Sequence, residues 1–394
     1  MRYVGTVVRG IRTPIIKEDT DLASTVIDSL MHAKESEGFE FRDRDIIAIT
    51  EAVVGISEGN YVSVDDIATF VGNLYKEKTV GIVFPILSRN RFSMILKGIA
   101  RGMDKIIMQL SFPKDEVGNG IMNKDDLRNS PFGLNDLITE EDYNKYFSKF
   151  VHPFTGINMV KFYRELIESE NCKVEFIFSN DPLDILKYTN NVINSDIHTR
   201  YETKELLKAH GANVNGLHDI MTSSVNGSGF NPTYGLLGSN KSTEERLKLF
   251  PKTGDKLVEE IHNRMYELTG KNIEVMVYGD GAFKDPVGGI WELADPVVSP
   301  AYTKGLDGTP NEIKLKYISD NVYDNLRGEE LAEAIRKEIR AKSSNLTGNM
   351  MSQGTTPRRL TDLIGSLCDL TSGSGDKGTP VVFIQGYFDN YADK

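Results

Sequence analysis

A helix that closes on glycine and hands over at once to a short apolar strand constrains this chain more than any other feature. Leu257, Val258, Ile261, Met265 and Leu268 fall at offsets of one, four, eight and eleven residues, a single apolar stripe at helical period. Gly270 supplies the left-handed cap, and Lys271 puts positive charge at the negative end of the helix. Residues 273–278 then read as a mostly buried strand that stops at Gly279-Asp280-Gly281. A carboxylate between two glycines is unshielded by its neighbours. It can hold a cation while backbone amides approach a phosphate, at the strand end where α/β proteins keep their chemistry. The plainer reading is an aspartate that only makes a turn.

The rest of the chain extends this α/β pattern. Val4 to Val8 is apolar, residues 10–14 break it, and Asp19 or Thr20 can cap a helix carrying Leu22, Val26, Ile27 and Leu30. Residues 45–50 form the next strand, running into a segment flanked by Glu51 and Glu58. Residues 79–84, 91–100 and 105–110 read as strand, helix and strand, a βαβ unit within a separate α/β region. The polar stretch 113–144 reads as a long surface loop or a lid. A strand from 174 to 178 and a helix from 182 to 188 follow. A glycine-rich segment, 225–235, leads back toward the opening helix; 329–342 is an amphipathic helix with acids early and bases late, and 380–384 is the last strand. There is no internal repeat and no low-complexity tract.

Composition removes several classes of function. No apolar run approaches the roughly 18 residues of a membrane span, and the first residues begin a strand instead of a signal peptide, so a cytoplasmic protein is expected. Two cysteines, Cys172 and Cys368, make no disulfide framework, and no Cys/His cluster suggests structural zinc. With 57 acids against 46 bases the net charge is −11, which disfavours a nucleic-acid surface. An acidic protein that handles phosphates does so through divalent metals, which invert the local charge. The same excess also serves solubility alone.

Motifs narrow the field further. The string Gly373-Ser-Gly375-Asp-Lys-Gly378 fits G-x-G-x-x-G, but a helix precedes it and a strand follows, the reverse of a dinucleotide fingerprint. It reads as a connection. There is no G-x-x-x-x-G-K-[ST], and the six histidines are scattered without a close pair. What remains are carboxylates near glycine turns: Asp280, Asp285, Asp307, Asp320 and Asp362. Hard oxygen ligands of this kind suit Mg²⁺ or Mn²⁺ bridged to nucleotide phosphates. Any one of them is also an ordinary cap or turn residue.

Several blocks, in order, resemble the F-420-0:gamma-glutamyl ligase family, which adds glutamate to the precursor of a deazaflavin coenzyme. The segment 10–22, Gly-Ile-Arg-Thr-Pro-Ile-Ile-Lys-Glu-Asp-Thr-Asp-Leu, is similar to that family's nucleotide-contacting segment. Residues 45–50 with Glu58-Gly59, then Gly238-Ser239-Asn240 with Leu249-Phe250-Pro251, match further blocks. Glu267-Leu-Thr-Gly-Lys271 through Asp280, and Thr361-Asp362 through Gly378, Pro380 and Gly386, complete the set.

The resemblance implies an α/β fold with mixed α+β sheets: a ligase-like core from 1–63 and 222–394, with an inserted α/β domain at 64–221. It implies that Asp280 and Asp362 hold Mg²⁺ or Mn²⁺. It sets GTP against Thr13, Pro14, Ile15, Ile16 and Glu51, and gives Ser239 and Asn240 a part in positioning phosphate or substrate. The implied reaction joins L-glutamate to a carboxylate acceptor like F-420-0 through an acyl phosphate, in a homodimer without nucleic-acid or membrane partners. Ile56 stands in place of a family lysine, Leu363 in place of an acid, and Asp280-Gly-Ala-Phe-Lys284 in place of Asp-Thr-x-Gly-Arg. Those departures, with the insertion, leave two other readings: a ligase for a different acceptor, and a non-catalytic homologue that binds a nucleotide or small ligand.

Overall fold

The computed structural model describes residues 3–153, 155–279, 282–284, 291–293, 299–352, 358–372 and 375–393. The fold is of the α/β class, with helices and several mixed sheets. The chain forms two compact units, one of Met1–Val54, Thr253–Gly281 and Val298–Lys394, the other of Gly55–Lys252 and Ala282–Val297.

The first unit is a sheet with helices on both faces. Its elements in chain order are β1 (Val7–Ile11), α1 (Leu22–Glu37), β2 (Ile46–Thr50), α2 (Glu51–Ser57), which begins here, and α3 (Gly254–Thr269). Then come β3 (Glu274–Tyr278), β4 (Ala301–Tyr302), α4 (Leu315–Asn321), α5 (Gly328–Ala341), α6 (Leu360–Ser372) and β5 (Val381–Gln385). The strand order is β1-β5-β2-β3-β4. β5 runs antiparallel to both β1 and β2, and β2 runs parallel to β3 in the register Thr50↔Tyr278. β1, β2 and β3 therefore point the same way and end at one edge of the sheet.

Burial follows from the period of two. Ile47 and Ile49 of β2, with Val275 and Val277 of β3 and Phe383 of β5, pack on one face against α1 and α3. Ile46 and Ala48, with Met276, Tyr278 and Ile384, pack on the other against Ile364 and Cys368 of α6. Strands buried on both faces carry unbroken apolar runs, and β2 and β3 do. Glu274 is the buried exception, and its Oε2 accepts a 2.5 Å hydrogen bond from Thr303 Oγ1.

Helix ends are fixed by local chemistry. Gly270 closes α3 with φ 65°, its N–H bonding to the Tyr266 carbonyl. The α3 stripe is narrower than its period suggests: Val258, Ile261 and Met265 are buried, whereas Leu268 is 59% exposed. α1 is capped by Asp21, not by Asp19 or Thr20; its carboxylate accepts from Ser24 N at 3.0 Å. β1 also extends through Gly10 to Ile11, because pairing with β5 overrides the glycine.

The second unit has its own core around a six-stranded sheet. The order is Ile138–Thr139, Lys173–Phe178, Lys105–Leu110, Thr79–Val83, Asn191–Asn194, Asn213–Gly216. All neighbours are parallel except the first pair, and Lys105–Leu110 and Asn191–Asn194 flank Thr79–Val83 on opposite sides, a doubly wound topology. The stretch 113–144 is not a lid. It carries the helices Lys124–Arg128 and Glu140–Tyr146, and Ile121, Met122, Leu127, Ile138 and Tyr143 are buried in the core. Its apolar residues are too sparse to show a period, yet these five reach the interior, while Leu134 stays 55% exposed. A smaller sheet joins Tyr61–Ser63, Arg246–Lys248 and Asn240–Lys241. Among the described residues, no helix is long and apolar enough to cross a membrane.

Candidate functional site

The edge of the first unit where β1, β2 and β3 end carries a cavity of about 440 Å³. Thr13, Pro14, Ile15 and Ile16, the loop leaving β1, form one wall. Thr50, at the end of β2, and Ala52 and Val53, in the first turn of α2, form the floor together with Tyr278 at the end of β3. Asp369 and Ser372 of α6, with Gly375, Gly378, Thr379 and Pro380, close the far side. The loop is held in place by backbone bonds: Thr13 N donates to the Gly378 carbonyl, and Thr50 N to the Pro380 carbonyl at 3.0 Å. Gly378 adopts φ 65°, a conformation that side chains rarely take.

The lining is mixed in a useful way. Ile15 is 85% exposed at the rim, an apolar side chain left in water. Ile16, Val53, Tyr278 and Pro380 extend that apolar surface inward, while Thr50, Ser372 and Thr379 contribute hydroxyls. Such a chamber suits a flat, partly polar ring with a few hydrogen-bonding edges. Cys368 of α6 is buried in the core, and that burial pushes its thiol pKa well up.

The implied site residues are distributed as follows. Thr13, Pro14, Ile15 and Ile16 all line the cavity. Glu51 sits between two lining residues, Thr50 and Ala52, and is only 5% exposed at the start of α2. Asp280 lies outside the described residues, two positions beyond the end of β3; Asp285 lies outside them too. Asp362 is exposed on the first turn of α6 and is not part of the cavity wall. Its turn is tied by Ser299 Oγ donating to the Thr361 carbonyl at 2.9 Å. Ser299 lies two residues before Ala301, which pairs with Val277 of β3. Among the described residues no three His, Cys, Asp or Glu side chains gather as a metal site. A magnesium ion does not need three, since one or two carboxylates with substrate phosphates and water complete its shell.

Ser239 and Asn240 belong to the second unit. Ser239 is 2% exposed, and its Oγ has no hydrogen-bond partner among the described residues. Asn240 Nδ2 reaches the Gly238 carbonyl at 3.5 Å, and Gly238 is required there, since a Cβ would meet the Phe250 ring at 2.3 Å.

Sequence reading missed part of the cavity. Thr50 and Tyr278 were legible only as strand residues; that they meet depends on the parallel register between β2 and β3, which sequence alone does not carry. Asp369 and Ser372 look like the polar face of a helix. A second cavity, about 430 Å³, lies at the opposite edge of the sheet among Arg44, Leu360 and Tyr387; it holds none of the implied site residues, and the candidate carboxylate Asp307 borders it.

The family model for F420-0:gamma-glutamyl ligase matches residues 10–386. No curated protein matches the chain.

Proposed function

This chain belongs to the F420-0:gamma-glutamyl ligase family, as a gamma-glutamyl ligase of the F420 pathway, and we propose that it works with GTP and Mg²⁺ or Mn²⁺ through an acyl phosphate. The acceptor is a carboxylate resembling F420-0. Its carboxylate oxygen attacks the γ-phosphorus of GTP, giving the acyl phosphate and GDP. The amine of L-glutamate then attacks the acyl carbon, an amide bond forms, and phosphate leaves as the nitrogen loses its proton.

The observation that carries this reading is the cavity at the carboxyl ends of β1, β2 and β3, walled by Thr13–Ile16. Ile15, Ile16 and Val53 would cover the faces of the guanine, and Thr50 and Thr379 would meet its polar edge. Glu51 would stand at the nucleotide side of the α2 junction. Asp280 and Asp362 would hold the divalent cation, which when bound neutralises charge building on the transferred phosphoryl group. On the Asp362 side, a 2.9 Å bond from Ser299 to Thr361 fastens the first turn of α6 to the segment leading into β4. Ser239 and Asn240 would position phosphate or acceptor; a buried hydroxyl without a partner is an unfilled bond that a ligand can complete. These groups bind and orient, so the rate would come from positioning and electrostatics. A cytoplasmic homodimer without nucleic-acid partners accords with the resemblance and with the net charge of −11.

A second reading, a ligase for a different carboxylate, is favoured by the doubly wound sheet of the second unit, which has its own core. One experiment separates them. The protein is incubated with Mn²⁺, GTP, L-glutamate and F420-0, and the products are weighed by mass spectrometry. A product heavier by one glutamyl residue with equimolar GDP is expected. No product and no GDP from folded protein, with turnover on another carboxylate, would assign the second reading. GTP binding without turnover on any acceptor would leave only a binding role.

A further inference from the structure

On the other side of Thr13 and Pro14 from the site described above lies a larger cavity, about 890 Å³, between β1, α1 and the end of α6. Its charged lining is Arg9, Arg12 and Lys377, with His32 beside them, against the single acid Glu37. That is an inversion for a chain in which acids outnumber bases 57 to 46. Arg12, His32 and Lys377 are exposed, and their side chains make no ion pair or hydrogen bond among the described residues.

Arg9 is different because it is held. Its Nη1 donates to Gln385 Oε1 at 2.8 Å, and its guanidinium lies 4.7 Å from the centre of the Phe39 ring. Gln385 in turn donates to Asp45 Oδ2 and to the Glu40 carbonyl, each at 2.9 Å. One cation is thus fixed in direction, while two long ones and an imidazole stand around the opening free to close on a ligand. Hydroxyls of Thr13 and Ser36 border the same space.

We infer that this cavity is a binding site for a small oligoanion, a phosphate ester or an oligocarboxylate, separate from the chamber beyond Thr13 and Pro14. Unpaired bases in a concave wall raise the local concentration of anions, and a fixed guanidinium adds a directional pair of donors. This site depends on neither GTP nor a metal. The site would hold even if the ligase reading failed.

The test uses the full chain without metal or nucleotide, titrated calorimetrically at low salt with tripolyphosphate and, in parallel, with citrate. Binding of at least one is expected, weakened about tenfold or more in Arg12→Gln/Lys377→Gln. A control with the same charge change, Lys256→Gln/Lys316→Gln, is expected to bind like the parent. Both pairs are exposed, so folding is expected to survive, and melting curves check it. Tighter tripolyphosphate binding assigns a phosphate ligand; tighter citrate binding assigns a carboxylate. No binding of either anion, or equal loss in the two double variants, would overturn the site.

Discussion

Single residues decide the geometry of the first unit at a few points. Gly305 is one: a Cβ there would lie 1.9 Å from Glu274 Oε1, and that carboxylate is buried and held by Thr303. Neither side can give way without leaving a buried charge short of its donor. Gly305→Ala is expected to cost about 3 kcal/mol, read as a lower urea midpoint at unchanged slope. Ile15 is the opposite case. At 85% exposure it supports nothing in the core, so Ile15→Ser is expected to leave stability within about 0.5 kcal/mol. If the cavity wall holds the nucleotide base, the same change raises KM for GTP several-fold with kcat little altered. If Asp280 and Asp362 hold the divalent cation as proposed, Asp280→Asn and Asp362→Asn should each abolish metal-dependent turnover while the melting temperature holds. Parent-like activity in either variant would remove that aspartate from the metal site.

Elements are where sequence reading did best, and the reason is physical. The α3 cap at Gly270 and the buried β3 strand depend on neighbours within a few residues, so they were legible. So were β2 and α6. The cap of α1 was misread by one or two positions, because Asp19, Thr20 and Asp21 all have the chemistry and only backbone geometry selects among them. The 113–144 region was misread because its buried residues answer to a distant core and show no local period. Whether Thr50 would face Tyr278 was likewise a question of register between segments far apart in sequence. The cap makes a clean test at this scale. Asp21 accepts from both the N–H and the hydroxyl of Ser24, at 3.0 and 2.7 Å. Asp21→Ala is expected to cost about 1 kcal/mol, and Asp21→Asn to recover most of it; equal losses in the two variants would mean the carboxylate's charge, not its capping bond, is what counts.

At the scale of the whole molecule, the chain builds two cores from interleaved segments, so unfolding is expected to show more than one calorimetric transition. A titrating group can tell which transition belongs to which core. Glu116, in the second unit, accepts from the backbone N–H groups of Ile197 and His198 at 2.8 and 2.9 Å. Withdrawal from water pushes its carboxyl up to about 7, with the Asp196 charge adding to the rise and the two backbone donors opposing it. The folded state therefore holds this proton more tightly than the unfolded chain does. Its contribution to stability is complete below the ordinary glutamate range and is lost as pH rises to about 7. Glu116 retains much exposed surface, so solvent trims the effect to about 1–3 °C in the transition that carries residues 55–252. Glu116→Gln is neutral throughout, so that transition should fall less between pH 5 and pH 7.5 than in the parent. An identical fall in both proteins would show that the Glu116 proton does not stabilise this unit. A change confined to the other transition would show that the two cores do not melt as the segments divide them.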